Sequence, residues 1–82
     1  MKLPRNMSGK ELIHCLKALG YSITKQHGSH IKLTTTMNGE HHITIPDHHS
    51  LKLGTLHGIL IDIATYHQMD KLEVLRTVFK VA

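Results

Sequence analysis

The chain has 82 residues, which allows one core and leaves no room for two substrate domains with a cleft between them. Hydrophobic residues make up 40% but aromatic ones only 4%, so the core must be aliphatic and base stacking cannot be the main grip on a nucleic acid. The formal charge is +4 with the nine histidines neutral, which suits a polyanionic partner, nucleic acid first, as well as a merely soluble basic domain.

The opening "MKLPRNMSGKE" lacks the apolar stretch of a secretory signal. No apolar run approaches the roughly 20 residues that span a bilayer. A cytoplasmic protein without membrane association is expected. The first helix is predicted to start at "SGKE", where Ser8 and Glu11 can form a capping box. Leu12, Cys15, Leu16 and Leu19 then recur at helical spacing, and Gly20 supplies the stop. Cys15 is the only cysteine, so no internal disulfide is possible. Its place on the apolar stripe reads as a structural thiol rather than a reactive one.

Three strands follow. "YSITKQ" alternates with Tyr21 and Ile23 on one face, and "HIKLTT" with Ile31 and Leu33 inward and His30, Lys32 and Thr34 outward. "HHITIP" puts Ile43 and Ile45 inward, with His42 and Thr44 outward. "HGS" reads as the first turn and "MNG" as the second. The inward residues of the second and third strands must share a face. A two-residue Asn38-Gly39 turn would pair Leu33 with Thr44 and mix the faces. A three-residue loop, Met37 to Gly39, pairs Leu33 with Ile43 and Ile31 with Ile45, and puts Gly39 at a left-handed position. It also sets His30 opposite Pro46, Lys32 opposite Thr44 and Thr34 opposite His42.

A second helix is predicted from near Gly54 or Thr55, with Leu56, Ile59, Leu60 and Ile63 on its buried face. Asp70 can cap a last helix, in which Leu72, Leu75, Val78 and Phe79 are periodic. The fold class is therefore α+β: α-β-β-β-α with an added C-terminal helix, a three-stranded antiparallel sheet with helices on one face. Double-stranded RNA-binding domains share this arrangement. One domain over 1–82 is expected, its core about residues 8–65 and its terminal helix about 70–80. The other sheet face stays open, and His30 and Lys32 point toward it.

His30 reads in two ways. It is one exposed histidine among nine, or it is a proton-transfer group at the mouth of a glycine turn. Imidazole gives or takes a proton near neutral pH, as RNA cleavage requires when a 2′-OH attacks the adjacent phosphate. Backbone N–H groups at Gly28 and Ser29, with the Ser29 hydroxyl, can hold that phosphate. The register brings Pro46 beside His30, so His48 or His49 is either a proton partner or phosphate contact, or part of a solvated loop. Lys25 and Lys32 are expected to bind phosphate on the open face, and Lys52 before the second helix is a further candidate phosphate contact. The free N–H groups at Gly54 and Thr55 add a weak anion site, or simply start a helix. His41-His42 and His48-His49 resemble metal-ligand pairs, yet adjacent strand residues face opposite sides and no Cys-x-x-Cys or His-Glu-x-x-His spacing exists. No metal, cofactor or small-molecule substrate is expected. His27 is left as a surface residue.

"GSHIKL", then "HHITIPDH", then "LKLGTLHGIL" resembles the HicA family of small messenger-RNA interferase toxins. The resemblance runs from "SGKELI" to "GTLHGIL". It implies a double-stranded-RNA-binding-like fold, metal-independent mRNA cleavage and neutralisation by a HicB-type antitoxin. It implies His30 as the catalytic histidine, flanked by Gly28 and Ser29, with Pro46, His48, Gly54 and Thr55 in structural or RNA-contacting roles. Ile31 stands where many members carry a second histidine. The alternatives are a non-catalytic RNA-binding module and a HicA-like regulator without toxicity.

Overall fold

In the computed structural model, which describes residues 3–80, Ser8 caps the first helix, α1 (Gly9–Leu16), as expected. The Glu11 N–H donates to the Ser8 hydroxyl at 3.1 Å, and the Ser8 N–H donates to the Glu11 carboxylate at 2.9 Å. That second bond stabilises the ionised carboxylate and lowers the Glu11 pKa. A 3₁₀ turn, Lys17–Leu19, continues the chain, and Gly20 at φ +79° ends it. Leu12, Leu16 and Leu19 are buried with Ile13. Cys15 is half-buried, and burial pushes its thiol pKa up.

The sheet has the order β1 (Ser22–His27), β2 (His30–Thr35), β3 (His41–Pro46), antiparallel throughout. Its β2–β3 register is the expected one: Ile31 faces Ile45, Leu33 faces Ile43, Thr34 faces His42 and His30 faces Pro46. Ile31, Leu33, Ile43 and Ile45 are buried beneath the helices, while His30, Lys32, His42 and Thr44 are exposed on the other side. Two further helices, α2 (Leu53–His67) and α3 (Lys71–Phe79), complete an α+β fold of the double-stranded-RNA-binding type with an added terminal helix.

Four details differ from the sequence reading. The β2–β3 ladder ends at Thr35 and His41, so the connection spans residues 36–40 rather than three residues. Thr35 is the cause. Its buried hydroxyl donates to the Leu19 carbonyl at 2.8 Å and accepts from the Met37 N–H at 3.1 Å, which turns the chain early. Second, Ile23 pairs with buried Leu33 on the inner face, yet it is 54% exposed. It sits on the edge strand, past the part of the sheet that the helices cover. Third, the first turn is only Gly28-Ser29, and His27 belongs to β1, paired with His30. Gly28 has φ +61° and Ser29 a negative φ, the pattern of a tight turn with glycine first. Fourth, α3 buries Val74, Leu75 and Val78, whereas Leu72 in its first turn is 41% exposed and Phe79 only half-buried. In α2, Ala64 is buried and Ile59 half-buried.

Candidate nucleic-acid interface

A bulge decides which cations share the open face. Simple alternation would send Lys25 inward with Ile23. Instead the register shifts between them, so that Lys25 pairs with Lys32. Thr24 takes up the extra residue, with its hydroxyl 2.9 Å from that of Thr34 and 3.5 Å from the Lys32 carbonyl. Two lysines therefore stand directly across from each other on an exposed face. Like charges in this position repel. Among the described residues no carboxylate lies within salt-bridge distance of either lysine, since both ion pairs present involve histidines.

The face has an engaged end and a free end. At one end Thr34 lies 2.8 Å from His42 Nδ1, and His42 Nε2 lies 3.1 Å from a Glu40 carboxylate oxygen. With His42 neutral, its Nε2–H donates to the carboxylate and its Nδ1 accepts from the Thr34 hydroxyl. At the other end stand His27 and His30. Among the described residues, the histidine rings that take part in side-chain hydrogen bonds are those of His41, His42 and His67. His30 is exposed beside Gly28 and Ser29, with Pro46 across from it on β3. Ile31, next in sequence, is 1% exposed and faces the core.

The segment after β3 is fixed by its backbone. The Asp47 N–H donates to the Ser29 carbonyl at 2.7 Å, and the Gly9 N–H donates to the His48 carbonyl at 2.9 Å. The chain after Pro46 thus runs from the Gly28-Ser29 turn to the start of α1. The side chains of His48 and His49 line a shallow cleft there with Asn6, Ser8, Lys10 and Glu11. No hydrogen bond joins His48 to His30 among the described residues. Lys52, Gly54 and Thr55 form a separate group. Lys52 is the N-cap of α2 without a side-chain cap bond, so helix N–H groups remain open at Gly54 and Thr55. The helix starts at Leu53, a residue earlier than expected, and belongs to the layer behind the sheet.

A second histidine cluster lies on that helix side. Tyr21 Oη is 2.7 Å from His41 Nδ1 and 3.0 Å from His67 Nε2, while His41 Nε2 is 3.3 Å from Asp62. With Asp62 ionised and His41 neutral, the bonds run one way: His67 donates to Tyr21, Tyr21 to His41, and His41 to Asp62. Tyr66 stacks on His41 at 4.2 Å, and its hydroxyl donates to the Asn38 carbonyl at 2.8 Å. Burial pushes the Tyr21 phenol pKa up and the His67 pKa down. Sequence reasoning missed this cluster, because its members lie just before β1, on β3 and on α2 with no shared motif. His41 and His42 do face opposite sides, as strand parity implies.

A family model described as the HicA toxin of bacterial toxin-antitoxin matches residues 9–64, from the first residue of α1 through most of α2. The chain belongs to the HicA toxin family. No curated protein and no solved structure matches it. Within the HicA match lie the whole sheet, the Gly28-Ser29 turn and the α2 N-terminus, whereas α3 lies outside it. Family membership makes the protein the toxin side of a toxin–antitoxin pair. No helix among the described residues is long and apolar enough to cross a membrane.

Proposed function

We propose that this HicA-family toxin is an endoribonuclease that cuts mRNA in the cytoplasm, without a metal ion, and so stops translation. A HicB-type antitoxin neutralises it. The observation that carries this reading is the open sheet face, where the exposed imidazole of His30 shares a side with the facing pair Lys25 and Lys32. Two like charges held opposite each other, with no acidic partner among the described residues, make sense when a polyanion neutralises them. Phosphate binds to these lysines and to backbone N–H groups at Gly28 and Ser29, with the Ser29 hydroxyl as a further donor. His30 then acts as general acid or base on the 2′-OH or the leaving 5′-oxygen. Lys52, Gly54 and Thr55 contact RNA that extends past the sheet, and His48 serves as a further phosphate contact or proton partner.

The decisive experiment compares wild type with His30→Ala on a mixed-sequence single-stranded RNA, with and without EDTA. Wild type cuts equally well in both, whereas His30→Ala binds the RNA and leaves it whole. Wild type that binds RNA without ever cutting it would identify a non-catalytic RNA-binding module instead. Activity lost in EDTA would replace the metal-free chemistry. Induced expression that leaves growth untouched would point to a regulator.

A further inference from the structure

The nuclease reading gives one proton transfer to His30 and offers His48 for the second only as an option, with no hydrogen bond between the two among the described residues. Cleavage by a 2′-OH needs two proton transfers at opposite ends of the reaction. A single imidazole, staying in place, serves only one of them at the moment of bond exchange.

We infer that His27 is the second proton-transfer group and works as a pair with His30, an inference that rests on the nuclease reading. Four observations converge. First, His27 and His30 are direct cross-strand partners that close the two-residue Gly28-Ser29 turn. Side chains of directly opposed residues in an antiparallel pair share a face, with Cβ atoms roughly 5 Å apart. Second, that face is the open one, because Ile31 and Leu33, of opposite parity to His30, are buried. Third, both histidines are exposed, and no side-chain hydrogen bond among the described residues occupies either ring. His41, His42 and His67 differ from them on this point. Fourth, the backbone of the turn between them is held in place by the Asp47 N–H on the Ser29 carbonyl.

Two imidazoles anchored about this far apart can flank one phosphodiester. Their charged neighbours are Lys25 and Lys32 further along the same strands, with Asp47 beyond Pro46. Among the described residues no helix covers this face, whose His27, His30, Lys32 and Thr44 are exposed. In the reaction one neutral imidazole takes the proton of the 2′-OH as the O2′–P bond forms. The other, protonated, gives its proton to the 5′-oxygen as the P–O5′ bond breaks. The products are a 2′,3′-cyclic phosphate and a free 5′-hydroxyl, and the pair has exchanged one proton between its members. No co-reactant is needed. The lysines hold the non-bridging oxygens throughout.

The test uses the full chain, with His27→Ala and His30→Ala measured for cleavage, RNA binding and thermal melting. Each variant is expected to keep RNA binding and its fold while cutting about 10²- to 10⁴-fold more slowly. The wild-type rate should describe a bell against pH, and each variant should lose one limb of it. A second substrate assigns the roles: an RNA with sulfur in place of the 5′-oxygen at the mapped cut, whose leaving group needs no proton. It should restore the rate of one variant, naming its missing histidine as the acid, and leave the other slow. Rescue of both or of neither overturns the pair. So does a His27→Ala protein that cuts as fast as wild type while His30→Ala does not, and this outcome leaves the nuclease reading standing. A wild type that never cuts RNA removes both.

Discussion

The lysines of the open face form an interaction that costs the free protein and helps the bound one. Lys25 and Lys32 are paired across β1 and β2 and lack a carboxylate partner among the described residues. On a single strand each neutralised phosphate adds about 0.7 to the slope of log affinity against log salt. Lys25→Gln with Lys32→Gln should therefore weaken RNA binding for every sequence tested and flatten that slope by about 1.4. The same change should leave the thermal melt unaltered or raise it slightly, since a repulsive pair disappears. An unchanged salt slope would take both lysines out of the interface. Loss of stability would mean that their aliphatic stems, not their charges, are what the sheet uses.

At the scale of elements, the join between α1 and the end of β3 leaves no room for a side chain at Gly9. A Cβ on Gly9 would run into the Pro46 carbonyl oxygen, and the Gly9 N–H already binds the His48 carbonyl. Alanine in a helix normally stabilises by about 1 kcal/mol over glycine. Here the sign should reverse. Gly9→Ala must push α1 away from the Pro46–His48 backbone, costing about 1–3 kcal/mol in a denaturant melt. A more stable variant would show that the join yields freely. This join also separates what sequence patterns can reveal from what they cannot. Ile31, Leu33, Ile43 and Ile45 show which face is inward, so parity recovers the β2–β3 register and the outward place of His30. The bulge at Thr24 left no such mark, because the local alternation of "SITKQ" looks regular with or without it. Lys25 is expected on the open face against simple alternation, and the bulge is the reason it lies there; the place of His27 beside His30 follows only once β1 is paired. Ile23 is apolar and on the inner face, yet no strand pattern tells that the helices stop short of it. In α3, Leu72 and Val74 compete for the buried stripe, and only packing against the other helices selects Val74.

The whole molecule divides its histidines between two jobs, and pH separates them. His27, His30, His42, His48 and His49 are exposed, whereas His67 is partly buried against Tyr21 beside His41. Burial, and then the charge of His41, lower the His67 pKa in the folded state. The unfolded chain then holds more protons than the folded one once pH falls to the ordinary imidazole value of about 6.5. Stability is thus complete above that value and lost as pH falls through it toward the lower folded value. Glu11 acts in a separate window. Its carboxyl is lowered chiefly by the Ser8 backbone bond, so its contribution disappears only as pH drops below the ordinary carboxylate value of about 4.3. Melts taken from about pH 7.5 to about pH 5.5 should therefore show a falling midpoint to which His67 contributes. His67→Gln keeps an amide N–H for the Tyr21 oxygen and removes the titration, so its midpoint should fall less over the same range. An equal fall in both proteins would locate the acid sensitivity elsewhere. The open face lies on the other side of the sheet from this cluster, so RNA affinity over the same range should not follow the melting midpoint. An affinity that fell in step with the melting midpoint would tie the open face to the Tyr21 cluster rather than leave the two independent.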